Sequence, residues 1–343
     1  MNANILILYA GGTIGMWEDP ATGTLIPLDL KALNKYLPEI LGLNVSYEGI
    51  SLKTPIDSAE LTPIVWTELV EIIETNYASF DGFVILHGTD TMAYTASALS
   101  FMIQGLNKPI ILTGSQLPLG RLRTDGRENF ITAIEIASTR KNNEPLVQEV
   151  AICFGERLMR GNRSWKANTE IFDAFDSPNY GNLANIGTHI IFNEQLLFRS
   201  KKTLKFSKEM TEGVGVLKLY PGILPSSIAY ALARPNMKVC IIESFGAGNI
   251  PRNEEFLNVF KEAIGRGVSI INISQCRRGS VDERLYKTGK AFAEVGAIFG
   301  NDLTFEAAIT KSMYLLAQGF SGENFRQALI ENIAGELSEN QVL

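Results

Sequence analysis

The sequence predicts an α/β fold: a larger N-terminal domain with a mostly parallel sheet flanked by helices, then a smaller C-terminal α/β domain. Three observations carry this expectation. Short, apolar, β-rich runs alternate with helical patterns, a rhythm that yields parallel strands covered on both faces. Thirty of the 343 residues are glycine, which suits many tight strand-to-helix turns. A lysine-rich, weakly patterned stretch from Phe192 to Glu212 interrupts the rhythm before it resumes.

Taken in order, Asn4–Ala10 reads as a buried strand, cut by Gly11-Gly12. Proline at position 63 opens a helix to Tyr77, because its missing N–H is unneeded in a first turn. Phe83–His87 is the next strand and Met92–Gln104 the next helix. No charge lies between Thr91 and Asn107, yet Thr95, Ser97, Ser100 and Gln104 interrupt a run already short for a bilayer. A buried helix is expected there, and no membrane span. Pro109–Thr113 and Glu149–Phe154 are further strands, with Asp125–Ser138 a helix between them. Gly215–Tyr220, Met237–Glu243 and Val268–Ser274 then repeat the pattern. The expected division is 1–190, a connection over 191–212, and 213–343. Lys201, Lys202, Lys205 and Lys208 fall in the connection and read as a solvated face.

Composition narrows the function. With 45% hydrophobic residues the chain can bury a full core, and a net charge of −6 argues against a nucleic-acid partner. The N-terminal apolar run lacks a basic region before it and a cleavage site after it, so a strand is expected there rather than a signal peptide. Cys153, Cys240 and Cys276 are an odd, widely spaced set that suggests neither a disulfide framework nor a metal cluster. A reducing cytoplasm fits best.

Two motifs place a threonine just beyond a buried strand: Gly11-Gly12-Thr13 and His87-Gly88-Thr89-Asp90-Thr91. Ligands of open α/β sheets sit outside the carboxyl ends of the strands, so Thr13, Thr89 and Asp90 are expected to converge on one crevice. A threonine hydroxyl is a poor nucleophile and needs an activating partner and a stabilised oxyanion. Gly11 and Gly12 let backbone N–H groups approach a developing negative charge. Asp90 is acceptor-only when ionised, and Lys166 is the candidate to orient Thr89 and Asp90 as a relay. Other readings stay open at this point: a phosphate cradle for Gly11-Gly12-Thr13, a helix cap for Thr89 or Asp90, a surface lysine for Lys166. The segment Gly15–Pro27 is either a glycine-hinged lid or a plain hairpin.

Together these motifs resemble the bacterial-type L-asparaginases, and within them the type I, cytoplasmic branch. The resemblance runs through Gly11–Met16, Asp57-Ser58, Asp81–Tyr94, Thr113–Gln116, Arg160–Arg163, Phe172–Asn179 and Gly246–Asn249. It implies a second domain of Rossmann/flavodoxin-like type and hydrolysis of L-asparagine to L-aspartate and ammonia, with no cofactor or metal. By position, Thr13 becomes the acyl-enzyme, and Thr89, Asp90 and Lys166 activate water or relay protons. The implied substrate-binding residues are Asp57, Ser58, Gly88, Thr89, Asp90, Ser115 and Asn249. Asp90 takes the substrate ammonium, Ser58 its carboxylate, and Ser115 lies beside the scissile amide. A homodimer or dimer of dimers follows, with Asn249 reaching into a neighbouring subunit's site.

Two departures bear on function. Relatives carry a lid tyrosine where this chain has Thr24, so Tyr286, in Tyr286-Lys287-Thr288-Gly289, becomes the expected auxiliary hydroxyl. The positions that line an activating asparagine pocket in some relatives are here Trp165, Glu243 and Cys276. An indole and an anion would fill that pocket and repel a carboxylate, so no such activation is expected. Glutamine is expected to be the weaker substrate. Two rivals remain: an ammonia-releasing amidotransferase subunit, disfavoured because Thr13 leaves no room for an added N-terminal domain, and a non-catalytic nucleotide-binding module, which lacks a full phosphate-loop pattern.

Overall fold

A computed structural model describes residues 2–18, 22–30, 33–282 and 287–338. Tyr286 therefore lies outside the described residues. The chain forms two compact units, Met1–Lys208 and Glu209–Leu343.

The first unit is built on an eight-stranded sheet. Its strands are β1 (Ala3–Gly11), β2 (Val45–Ile56), β3 (Gly82–Leu86), β4 (Ile110–Thr113), β5 (Val150–Phe154), β6 (Arg157–Arg160), β7 (Ala184–Ile186) and β8 (Ile190–Phe192). Their spatial order is β8-β7-β6-β5-β4-β3-β1-β2, parallel from β2 to β5 and antiparallel from β5 to β8. Strand β1 lies between β3 and edge strand β2 and is buried: no residue from Ile5 to Ala10 is more than 4% exposed. Each such aliphatic side chain contributes roughly 1.5–3 kcal/mol by leaving water. After β1 the chain runs first to β2 on one side and then returns to β3 on the other. That reversal makes the β1/β3 boundary the topological switch point, where ligands of open α/β sheets bind. Both threonine motifs follow these two strands.

Helices α1 (Pro63–Asn76), α2 (Met92–Met102) and α3 (Gly126–Ser138) cover the sheet. In α2 every residue but Tyr94 is buried, as the charge-free stretch requires. The helix stops two residues earlier than its pattern suggests. Ile103-Gln104 turn extended and pair with Lys205-Phe206, a partner about a hundred residues away that local periodicity does not announce. No helix among the described residues is long and apolar enough to cross a membrane.

Strand β2 carries no clear strand pattern in the sequence. It is an edge strand with one face largely exposed, so its polar residues hide the period. The stretch 191–212 is not free chain. Phe198 N–H donates to buried Glu149 at 2.6 Å, the same carboxylate takes Arg160 Nε at 2.6 Å, and Arg160 Nη2 reaches the Leu196 carbonyl at 2.8 Å.

The second unit has a four-stranded parallel sheet in chain order, β9 (Val214–Lys218), β10 (Val239–Ser244), β11 (Ser269–Ser274) and β12 (Ile298–Phe299). The crossover helices α4 (Pro225–Leu232), α5 (Glu254–Gly265) and Lys287–Glu294 share one apolar core, in which Ile228, Phe260 and Phe292 meet Cys240 and Ile270 of the sheet. Further helices α6 (Phe305–Ala317) and α7 (Gly322–Ile330) pack on β9, β10 and β11.

The C-terminal turn is anchored by a fully buried ion pair. Lys311 Nζ donates to Glu336 Oε1 and the Leu329 carbonyl, both at 2.6 Å, and to the Glu331 carbonyl at 2.5 Å. Glu336 in turn accepts N–H groups of Ile333 and Ala334. Removing one partner leaves an uncompensated buried charge. Lys311→Met is therefore expected to lower the unfolding free energy by about 3–5 kcal/mol in urea titration. A loss below about 1 kcal/mol would show the pair to be dispensable.

Candidate functional site

The backbone turns sharply after β1. Gly12 has φ of +82°, and a Cβ on it would lie 2.4 Å from Gly88 Cα, so only glycine lets the two motif loops touch. Thr13 follows in a short 3-10 turn and its side chain is exposed. Its hydroxyl donates to the Ser115 carbonyl at 3.0 Å. Beneath the turn lies Tyr9, a buried residue whose hydroxyl sits 3.3 Å from the Gly12 carbonyl. Apolar patterning alone does not single out Tyr9; a hydroxyl-bearing aromatic in an otherwise aliphatic strand is the available signal.

The second motif closes the opposite wall. A Cβ on Gly88 would meet Ser58 Oγ at 2.5 Å, and Thr91 Oγ1 donates to the Ser58 carbonyl at 2.7 Å. Asp57 caps the turn that carries Ser58, its Oδ1 accepting from Ala59 N–H at 3.0 Å. Thr13, Ser58, Gly88, Thr89 and Ser115 thus gather at the carboxyl ends of β1, β2, β3 and β4, with Asp57 and Asp90 exposed. Ser115 is 2% exposed, and its hydroxyl has no partner among the described residues. A buried hydroxyl without a protein partner is uncommon in a folded chain.

Lys166 arrives from far along the chain. It sits on the ribbon Trp165–Lys166, paired with Phe175–Asp176. Its Nζ donates to Thr89 Oγ1 at 2.8 Å and to Asp90 Oδ1 at 2.6 Å. With the ammonium donating to Thr89, that hydroxyl keeps its own proton to give elsewhere. Neither Thr89 nor Asp90 is the cap of α2. The cap position is Thr91, which makes no side-chain capping bond.

Behind Thr89 a buried network fixes a histidine tautomer. His87 Nδ1 lies 2.7 Å from the Gly88 carbonyl, which can only accept, so Nδ1 carries the proton. Trp66 Nε1 donates to Thr95 Oγ1 at 3.0 Å, which leaves the Thr95 proton for His87 Nε2 at 2.9 Å. Burial holds His87 neutral, its pKa lowered from 6.5 to about 4. The unfolded chain binds the extra proton between those values and the folded chain does not. His87 should therefore remove up to about 3 kcal/mol of stability as pH falls from 6.5 toward 4. Urea midpoints compared between wild type and His87→Asn at pH 7 and 4.5 test this; parallel losses in the two proteins would refute it.

The remaining expected residues do not join this cluster within the first unit. Asn249 belongs to the second unit, where its backbone pairs with Phe245 beyond β10. Thr24 is exposed just before Leu25–Pro27, a strand that pairs with Met16–Glu18, and its hydroxyl lies 2.7 Å from that of Thr22. Trp165 is half-buried, Glu243 buried and Cys276 exposed. No group of three metal-ligating side chains occurs among the described residues.

Comparisons with known proteins identify the family. A family described as "Asparaginase, N-terminal" matches residues 4–198, and "Glutaminase/Asparaginase C-terminal domain" matches residues 213–329. The chain belongs to the asparaginase family. This asparaginase-family chain is 41% identical to L-asparaginase 1 of Escherichia coli K12, over 98% of each protein. The crystal structure of L-asparaginase I from Vibrio cholerae superposes with a TM-score of 0.89 at 38% identity, covering 99% of this chain and all of that one. The thermostable L-asparaginase from Thermococcus kodakarensis superposes with a TM-score of 0.88 at 29% identity, covering 98% of this chain and all of that one.

Proposed function

We propose that this asparaginase-family chain is an amidohydrolase that converts L-asparagine to L-aspartate and ammonia through an ester on Thr13. The observation that carries this reading is the Lys166 ammonium shared by Thr89 and Asp90, at 2.8 and 2.6 Å, in the crevice that Thr13 enters. In the first half-reaction Thr13 Oγ1 bonds to the side-chain amide carbon, the C–N bond breaks, and the nitrogen leaves as ammonia after gaining the hydroxyl proton. In the second, water adds to the ester carbon, the C–O bond to Thr13 breaks, and aspartate leaves. Thr89 is the donor and acceptor that moves these protons, its charge buffered by Lys166. Asp90 pairs with the substrate ammonium, Asp57 and Ser58 hold the amino-acid end, Gly88 lets it approach, and Ser115 contacts the amide.

The working enzyme is a homodimer or dimer of dimers, with Asn249 reaching a neighbour's site and Tyr286 assigned as the auxiliary hydroxyl. Exposed Tyr220, Leu224 and Tyr230 on the second unit support association. Cytoplasmic residence is supported by three free cysteines. The net charge of −6 disfavours a nucleic-acid partner.

The test is ammonia release. Asparagine should give a hyperbolic rate curve, and glutamine, one methylene longer, a kcat/KM lower by about 10–200-fold. Absence of ammonia from asparagine overturns the reading. A sigmoidal curve abolished at Trp165 or Glu243 would overturn the expectation of no activation through those positions.

A further inference from the structure

The loop Gly114–Leu117, which follows β4 and contains Ser115, is gripped along its backbone by residues at the start of α3. The Asp125 carboxylate accepts the Gln116 N–H at 2.9 and 3.1 Å and the Leu117 N–H at 3.1 Å. Buried Asn129 donates Nδ2 to the Gly114 carbonyl at 2.9 Å and accepts the Gly155 N–H on Oδ1 at 3.0 Å. Thr124 Oγ1 donates to the Leu117 carbonyl at 3.0 Å.

A trans peptide unit points its C=O and its N–H in opposite directions. The Ser115 carbonyl and the Gln116 N–H belong to one such unit. By taking the N–H, Asp125 turns the Ser115 carbonyl the other way, where it accepts the Thr13 hydroxyl at 3.0 Å. Asn129 fixes the preceding peptide by its carbonyl in the same manner. Two consecutive peptide planes are therefore set by two side chains at the start of α3.

We propose that Asp125 and Asn129 are positioning residues for the hydrolysis, orienting the Thr13 hydroxyl through the Ser115 carbonyl. This rests on the reading of Thr13 as nucleophile. A hydroxyl has one proton and two lone pairs. With the proton directed at the Ser115 carbonyl before attack, the lone pairs are left for the amide carbon, and the proton leaves through Thr89 to the amide nitrogen as the C–O bond forms. A flipped 115–116 peptide would present an N–H to Thr13 and occupy a lone pair instead.

The experiment is steady-state kinetics with asparagine, together with aspartate binding and thermal melting, on Asp125→Ala, Asp125→Asn and Asn129→Asp. The two variants Asp125→Ala and Asn129→Asp should lose about 10–100-fold in kcat, the scale of a small misplacement of a reacting group. KM and aspartate affinity should stay within about threefold, because Asp57, Ser58 and Asp90 hold the ligand. Asp125→Asn can place its amide oxygen at the Oδ1 position, which accepts both N–H groups at 3.1 Å, but its Nδ2 then faces the donors Gln116 N–H and Asn129 Nδ2, so it should recover only part of the loss. The proposal is overturned if folded Asp125→Ala and Asn129→Asp keep kcat within about twofold, if KM rises in step with the kcat loss, or if Asp125→Asn is no better than alanine. Should alanine prevent folding, Asn129→Asp and Asp125→Asn still decide. Thr13→Ala is assayed beside them. If it still releases ammonia, the nucleophile reading fails. If it is silent while the loop variants match wild type, only the positioning role fails.

Discussion

Thr13→Ala is expected to lower kcat for asparagine by at least about a thousandfold while aspartate still binds. The asymmetry follows from where Thr13 stands. Its side chain is exposed in the crevice and makes one hydrogen bond among the described residues, to the Ser115 carbonyl, so deleting it removes a single donor at a place water can enter. The fold should therefore tolerate alanine, and the melting temperature should move little. The ligand contacts assigned to Asp57, Ser58 and Asp90 also survive. A coupled ammonia assay with calorimetric titration of aspartate separates the two effects. Native turnover in the alanine variant would remove Thr13 from the chemistry.

Lys166→Met should be nearly as damaging to turnover, by about 100- to 10,000-fold, and almost silent in stability. The Lys166 side chain is 15% exposed, whereas that of Asp90 is 61% exposed. An ion pair with one partner so open to water contributes at most about 1 kcal/mol to folding. Its place in the crevice is chemical: the ammonium keeps Thr89 oriented and offsets negative charge as the hydroxyl gives up its proton. Lys166→Arg is not expected to rescue, since a planar fork cannot reproduce a compact point donor between two oxygens. The readouts are kcat, its pH profile and a urea midpoint. A stability loss of several kcal/mol with little change in kcat would reverse the assignment and make the lysine structural.

Much of the fold is legible in the sequence because its signals are local. The strand runs at Asn4–Ala10, Phe83–His87, Pro109–Thr113 and Glu149–Phe154 fall on four of the five parallel strands of the large sheet. Buried parallel strands must be continuously apolar, and that leaves a mark within a few residues. Edge strand β2 and the short pairing at Ile103-Gln104 leave no such mark. One faces water along most of its length, and the other exists only because Lys205-Phe206 lies beside it. Of the site, both threonine motifs are readable as glycine-hinged turns after strands. Tyr9, Asp125 and Asn129 are not, because a tyrosine in a strand or an Asp–Asn pair at a helix start is chemically ordinary until its neighbours are known.

The order of residues alone carried the α/β class, the positions of the motif turns and the chemical types able to attack an amide. These are properties of short segments, encoded by which neighbours are apolar, small or hydroxylated. Folding in three dimensions decided that Lys166 meets Thr89 across 77 positions of chain, that Gly12 abuts Gly88, and that Asp125 sets the peptide facing Thr13. Such meetings depend on strand order and on how loops stack at one end of a sheet. No periodicity within a segment records the distance to another.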